Sequence, residues 1–242
     1  MKRIKIFIGV VLFAAVTMFA AGCEEDNAEP TNVSDSTATE YWVDLGLPSG
    51  LLWATRNVGA SSPEDYGGYF AWGETTPKSD YSWETYRYAN GNHAITKYCN
   101  KSGYGYNGFI DNRTSLTNDD DAASVNVTGS RMPTHDEWVE LVNNTTSQWT
   151  SVNGINGRVF TAPNGNTLFL PAAGARWDDE TRGVGYRGYY WSSSLSSLYG
   201  GIPCDARNLY FNSDGVYRSN SNRYGGFPVR PVRSVRSVRP VR

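Results

Sequence analysis

The chain contains 242 residues, with 22 Lys and Arg residues against 24 Asp and Glu residues. Without the three basic residues at its start, 19 basic residues remain against 24 acidic residues, a net charge of about −5, which argues against a nucleic-acid partner. The remaining length is sufficient for one domain with a sizeable core.

Residues 1–22 have the three parts of an export signal. Residues 2–5 carry three basic side chains, residues 6–19 are predominantly apolar, and small residues precede Cys23. The segment is too short for a membrane-spanning helix. A cysteine directly after small residues resembles a lipobox, although Ala20 stands where an aliphatic residue is usual. We therefore expect cleavage before Cys23 and lipid modification of its thiol; the alternative is an ordinary signal peptide with a coincidental cysteine.

Residues 23–40 read as an acidic, disordered tether. Six of them are acidic and almost none is apolar, so the segment buries too little surface to order itself. An acidic run after a lipidated cysteine resembles the signal that exports some lipoproteins to the outer leaflet. We expect a protein anchored in the outer membrane through Cys23 and exposed at the cell surface; a generic solvated linker is the alternative.

Residues 41–233 are expected to form one α+β domain of short strands, long loops and few helices. The clearest helix follows Thr134, because Glu137 completes a capping box and Trp138 and Leu141 fall on one face. Weaker helical signals lie at residues 61–67 and 117–125. Strands are predicted within residues 50–58, 67–73, 157–162, 167–174, 188–194, 206–212 and 215–219, with a hairpin turn at residues 212–215.

The end of the chain repeats Val-Arg with a period of three. Residues 228–233 are predicted to supply a terminal strand, and residues 234–242 a short duplicated tail. Polyproline II geometry would align the tail's arginines along one edge. A solvated end is the expectation, and contact with an anionic surface is the alternative.

Residues 183–228 have the composition of a binding surface. Tyr, Ser, Gly, Asn and Arg make up 31 of these 46 residues, and Lys and Glu are absent. Tyr gives rigid amphipathic contact area, while Ser, Gly and Asn adapt their hydrogen bonds. The predicted ligand-binding residues are Tyr199, Tyr210, Tyr217 and Tyr224 as aromatic anchors, Arg207, Arg218 and Arg223 as charged donors, and Asn208, Asn220 and Asn222 as adaptable partners. The alternative is a polar region that only hydrogen-bonds its own loops.

Several motifs in fixed order resemble the Fib_succ_major family, the "major paralogous domain". They are "YWVDLGLPSGLLWATRNVGASSPEDYGGYFAWGETTP", "RMPTHDEW", "LFLPAAGAR", "GYYWSSS" and "FPVRPVR", which span nearly all of residues 41–233. The resemblance implies an exported lipoprotein without a settled activity. "RMPTHDEW" is also similar to a helix start in formylglycine-generating enzymes, which implies a related C-type-lectin-like α+β fold with short twisted sheets. The variable proteins diversified by retroelements display substitutions on such a scaffold.

Catalysis and metal binding receive little support. The enzymes named above bind copper through two late cysteines, whereas Cys204 stands alone late in this chain. The sequence leaves open whether Cys99 and Cys204 form a disulfide or are two separate thiols. His135 is interpreted as a surface residue of the helix. Residues 118–121 and 177–180 offer oxygen ligands for a structural calcium ion, but neither has the spacing of an EF-hand loop; no cofactor is expected.

The leading hypothesis is therefore a surface lipoprotein, not an enzyme, that binds a protein or glycan ligand non-covalently through its C-terminal region, as an adhesin would. A structural component of the cell envelope or of a fimbria-like assembly is one alternative. A copper-dependent oxidase is another.

Overall fold

The computed structural model describes residues 41–91, 93–196 and 203–235, all within one unit that extends from Asp35 to Arg242. Small antiparallel sheets dominate, so the broad α+β, β-rich class is confirmed. The strands are β1 (Trp42–Asp44), β2 (Leu51–Ala54), β3 (Thr146–Val152), β4 (Ile155–Thr161), β5 (Thr167–Pro171), β6 (Ala175–Trp177), β7 (Glu180–Arg182), β8 (Gly188–Leu195), β9 (Asp205–Phe211), β10 (Val216–Asn222) and β11 (Val232–Ser234). The helices are α1 (Ala122–Asn126) and α2 (His135–Asn144), with short 3-10 turns at Ser102–Tyr104, Tyr106–Gly108 and Asn118–Asp120.

The described strands form four sheets. Strand order is β1-β2-β11 in the first, β3-β4-β5 in the second and β10-β9-β8 in the third, while β6 and β7 pair by themselves. The first sheet joins the two ends of the domain, because β1 and β11 pair with opposite sides of β2. The third sheet carries the predicted binding region.

Helix α2 begins as the sequence predicts. The Thr134 side chain accepts a hydrogen bond from the Glu137 backbone N–H, and the Glu137 carboxylate accepts one from the Thr134 N–H. The helix packs onto the third sheet through Trp138, whose indole N–H donates to the carbonyl of Trp191. In the residues that the structure describes, no helix is long and apolar enough to cross a membrane.

Two hydrophobic clusters pack on opposite faces of the third sheet. Trp191 belongs to the first, where it stacks on Phe227 at 4.1 Å between ring centres. Its neighbour Tyr190 belongs to the second, together with Trp138. Successive residues of a strand point to opposite faces, so adjacent aromatics serve different clusters. Burying one such large ring removes about 150–250 Å² of its surface from water. This contributes roughly 4–6 kcal/mol of hydrophobic free energy before the loss of side-chain entropy is subtracted.

Some predicted elements differ from the structure. Residues 67–73 form no strand; Phe70 makes only an isolated bridge to Phe227. Residues 61–67 form turns rather than a helix. The second helical signal is confirmed, but Asp121 caps α1, whereas the Thr117 side chain makes no cap. Strands β1, β3, β6 and β7 were not predicted.

Candidate functional site

The candidate site is the hairpin formed by β9 and β10. Its turn is the predicted one: the Asn212 side-chain oxygen accepts hydrogen bonds from the backbone N–H groups of Asp214 and Gly215, at 2.9 and 3.1 Å. This side chain therefore stabilises the reversal locally. The register pairs Tyr210 with Tyr217 and Arg207 with Asn220.

This register divides the predicted site between two faces. Paired residues project to the same side of a sheet, and alternate residues of one strand share a side. Tyr210 and Tyr217 consequently lie on one face, together with Tyr189 of β8, which pairs with Tyr210. We call these three residues the tyrosine face. Arg207, Arg218 and Asn220 lie on the opposite side and form the arginine face.

The tyrosine face is a ladder of rings across three strands. Ring centres are 4.9 Å apart between Tyr189 and Tyr210 and 5.6 Å apart between Tyr210 and Tyr217. Tyr217 is 47% exposed, and the other two are half-buried. Because neighbouring rings cover one another, the inner members offer mainly their edges and hydroxyl groups, while Tyr217 also offers the outer face of its ring. The ladder can therefore supply apolar contact and hydrogen bonds together.

Tyr224 packs against two tryptophan rings outside the tyrosine face. Its ring lies 4.9 Å from that of Trp83 and 5.4 Å from that of Trp177, and it is half-buried. The prediction that Tyr224 anchors a ligand remains a prediction, but its ring also packs the first hydrophobic cluster.

The arginine face lies beside the start of α2. Arg218 is exposed, while Arg207 and His135 are half-buried. Burial lowers the pKa of His135, and the positive charges of Arg207 and Arg218 lower it further, while Asp136 acts in the opposite direction. His135 thus has a charged environment that its position in the sequence does not reveal. Asn220 and Asn222 are half-buried at the same strand, and the Asn220 amide donates to Asp205 at 3.0 Å.

Arg223 was predicted to contact a ligand, and this is wrong because its side chain is completely buried. Its guanidinium lies 4.7 Å over the Trp72 ring. It donates to the Tyr86 hydroxyl and to the backbone carbonyls of Lys97, Tyr98 and Pro203. Arg223 therefore fixes the loop of residues 86–98 to the end of β10.

The prediction that Asn208 contacts a ligand is also wrong, because only 1% of this residue is exposed. Its amide donates to the Ser221 hydroxyl at 3.2 Å, across the hairpin. Asn208 shares its side of the sheet with Tyr210 but lies beneath the surface. Tyr199 and Cys23 lie outside the described residues. Sequence reasoning also missed Tyr189, although the doubled tyrosine of "GYYW" supplies one ring to each face.

Two of the residues proposed as calcium ligands, Asp120 and Asp121, are bonded to protein groups instead. The buried Asp120 carboxylate accepts hydrogen bonds from the hydroxyls of Tyr88 and Tyr98 and forms a salt bridge with Lys97. Asp121 caps α1. Protein donors therefore already occupy the carboxylate oxygens of Asp120 and Asp121. Within the described residues, no group of three or more His, Cys, Asp or Glu side chains could hold a metal ion.

Cys99 and Cys204 are both free and buried. Burial raises the pKa of the Cys204 thiol to about 11, which disfavours the thiolate. Each sulfur contacts a backbone carbonyl, that of Lys101 for Cys99 and that of His93 for Cys204.

We expect these thiols to be inert in the folded protein. In a Cys23→Ser variant, a disulfide reagent that reports free thiols should label Cys99 and Cys204 on the order of a hundredfold more slowly in buffer than in denaturing urea, since the thiolate is the nucleophile. Two thiols should react in urea. Rapid labelling in buffer would contradict their burial, and no labelling in urea would show a disulfide.

Comparison of the chain with protein-family models, with curated proteins and with solved structures finds no match.

Proposed function

We propose that this protein is an exported lipoprotein, anchored at Cys23 in the outer membrane, whose single domain binds a protein or glycan ligand non-covalently at the cell surface. The proposal includes the relationship to the Fib_succ_major family and the C-type-lectin-like fold that the motifs imply. It assigns no catalysis, because the buried thiols make a poor copper site and the residues that meet at the hairpin suit contact rather than bond cleavage.

The tyrosine face carries this proposal. Three rings in line across β8, β9 and β10 form a rigid platform, and Tyr217 at its outer end is substantially exposed. Aromatic residues at the centre of a well-packed patch supply most of the free energy in many interfaces. Hydrogen bonds hold the platform in place: Arg223 donates to the Pro203 carbonyl, and Asn208 donates across the hairpin to the Ser221 hydroxyl. Little conformational entropy would therefore be lost on binding.

The test is a binding screen with the labelled protein on a printed glycan array and on a library of extracellular protein domains. For each ligand found, Tyr217→Ala should raise the dissociation constant at least about tenfold, the effect of losing one binding hot spot. Tyr186→Ala is the matched control, because Tyr186 is 75% exposed and lies outside the tyrosine face. Equal affinities for the wild type and Tyr217→Ala would show that the tyrosine face is not the binding surface.

Self-assembly is a second candidate function, favoured by the position of β10. This strand pairs only with β9 among the described strands, so it is an edge to which another strand could add. Light scattering at increasing concentration separates the two functions, since a stable assembly would increase in mass without any ligand.

A further inference from the structure

Residues 102–110 form an exposed loop outside the proposed binding surface, which we call the apolar loop. Eight of its nine residues are exposed. It holds four of the nine large hydrophobic residues that are exposed in the described part of the chain: Tyr104, Tyr106, Phe109 and Ile110, each between 37% and 44% exposed. Large apolar side chains that are concentrated at one exposed place indicate an interaction surface.

The apolar loop is fixed to the domain on both sides. The backbone N–H of Ile95 donates to the Tyr104 carbonyl at 2.8 Å, and the Ile95 carbonyl accepts from the Tyr106 N–H at 2.9 Å. Directly after the loop, the Asp111 carboxylate accepts hydrogen bonds from the backbone N–H groups of residues 98–99, both at 2.9 Å. The exposed apolar side chains are therefore held on an ordered loop.

The loop also satisfies much of its own backbone. Five of its N–H groups donate to backbone carbonyls of the protein, namely those of Tyr104, Gly105, Tyr106, Gly108 and Phe109. A Cβ atom on Gly105 would lie 1.9 Å from the Phe109 carbonyl oxygen, so this tight closure requires glycine. Paired N–H groups lose little when they leave water, whereas unpaired ones are costly in an apolar medium. The loop is therefore suited to an apolar environment.

The charges near the loop are arranged around it. The loop itself carries no charged residue, and basic residues flank it on both sides, Lys101 before it and Arg113 after it. The acidic residue between them, Asp111, is occupied by backbone N–H groups and lies 4.0 Å from the Arg113 guanidinium. An uncharged apolar segment between basic residues matches a bilayer, in which hydrocarbon lies beneath phosphate headgroups.

The size of the loop argues against a second copy of the chain as its partner. Four side chains exposed by about two fifths present roughly 300 Å², whereas a stable protein interface buries about 800 Å² on each partner. A membrane contact can be smaller when a lipid anchor already holds the protein there, since two weak attachments combine. Residues 24–41 are all that separates Cys23, the proposed anchor, from β1.

We propose that the apolar loop inserts into the interface of a lipid bilayer, with its four apolar side chains at the boundary of headgroups and acyl chains and with Lys101 and Arg113 at the phosphates. The inference goes beyond the proposed function, which brings the domain to a membrane only through Cys23. The loop would add a second contact and so fix the orientation of the domain on the membrane.

The loop is attached near one end of the hairpin of β9 and β10. Arg223 donates to the carbonyl of Tyr98, which precedes the loop, and to that of Pro203, which precedes β9. The hairpin turn at residues 212–215 lies at the other end of the seven-residue strand β9, roughly 20 Å away. We therefore expect the turn to stay in water when the loop inserts.

The test uses the chain without its other lipid-binding parts. Residues 23–242 carrying Cys23→Ser lack both an acyl group and the apolar segment of residues 6–19. This protein should float through a density gradient with vesicles of phosphatidylcholine and phosphatidylglycerol in equal parts, at millimolar lipid. Replacing Lys101 and Arg113 with Gln should weaken binding to these vesicles about fivefold for each charge removed, with little effect on vesicles of phosphatidylcholine alone.

The central variant combines Phe109→Ser with Ile110→Ser. It should lower the partition coefficient at least about tenfold, since interfacial binding scales with the apolar area buried. The matched control combines Val184→Ser with Tyr186→Ser, which also removes one exposed aliphatic and one exposed aromatic side chain, but from another loop. The control should bind vesicles as the unsubstituted protein does.

A polarity-sensitive fluorophore attached to Ser102→Cys reports insertion directly, because Cys99 and Cys204 are buried and should remain unlabelled. Its emission should move to shorter wavelength on vesicles, whereas the same fluorophore on Ser213→Cys, in the hairpin turn, should not shift.

Three results would overturn the membrane contact: no flotation of the unsubstituted protein, equal flotation of the Phe109→Ser, Ile110→Ser variant, or no spectral shift at Ser102→Cys. If that variant lost a ligand on the arrays and the unsubstituted protein did not bind vesicles, the loop would belong to ligand recognition instead. The arrays contain no bilayer, so failure of this inference remains distinguishable from failure of the proposed function.

Discussion

Replacing Arg223 with Met should lower the free energy of unfolding by about 3 kcal/mol or more, because it leaves a buried hydroxyl, two buried carbonyls and one partly buried carbonyl without their donor. Single domains are stable by only about 5–15 kcal/mol, so the variant should lose a large share of its stability. Urea denaturation followed by tryptophan fluorescence measures the difference.

The control for this prediction is Arg218→Met, on the same hairpin but exposed. It should change the free energy of unfolding by less than about 0.5 kcal/mol. Arg223→Lys should be destabilised as well, because one ammonium group cannot span acceptors that lie around a planar guanidinium. If Arg223→Met lowered the free energy of unfolding by less than about 1 kcal/mol, water or a rearrangement of the loops would have to supply hydrogen bonds to these carbonyls.

Asp120→Ala should have a comparable effect of about 3 kcal/mol or more, because it removes the acceptor of two buried tyrosine hydroxyls and the partner of Lys97. Asp119→Ala, at the exposed neighbouring residue, is the control and should be nearly neutral.

The stability losses of Asp120→Ala and Arg223→Met should not be additive in the double variant. Tyr98 links the two residues, because its carbonyl accepts a hydrogen bond from Arg223 while its hydroxyl donates one to Asp120. An additive double variant would contradict this coupling.

The contribution of Asp120 to the free energy of unfolding should also depend on pH. Burial would raise the pKa of Asp120, but the hydrogen bonds from Lys97, Tyr88 and Tyr98 outweigh burial and lower it. The stabilisation is therefore complete above the unfolded-state pKa of about 3.9 and is lost as the pH falls through the lower folded-state pKa. The difference in stability between the wild type and Asp120→Ala should shrink in that acidic range. A difference that stays constant would contradict the ionised state of Asp120.

The sequence predicted the elements that depend on local signals. The capping box at Thr134 and the turn at Asn212 are formed by side chains within a few residues of one another, so a short pattern contains all their partners. Strand β3 was missed because "TSQWTSV" has little apolar alternation, and its pairing with β4 is what stabilises it.

The site was predicted less well, because composition does not distinguish a buried arginine from an exposed one. Arg218 and Arg223 lie five residues apart in a similar polar run, yet one faces solvent and the other is sealed beneath aromatic rings. The acceptors of Arg223 come from residues 86–98 and 203, which no local pattern connects to β10. Alternation along β9 alone separates Tyr210 from Arg207, but placing Tyr217 and Arg218 of β10 beside them requires the register between the two strands, which the turn fixes.

The arrangement of β1 and β11 on opposite sides of β2 has a mechanical consequence. If the chain is held through residues that precede β1, tension enters the domain at a ladder of only three residue pairs. Strand β11 holds the other side of β2 independently, so β1 could detach under force while the rest of the sheet remains paired. The hairpin of β9 and β10 shares no strand with that sheet, so a force that detaches β1 would not act directly on the strands of the hairpin.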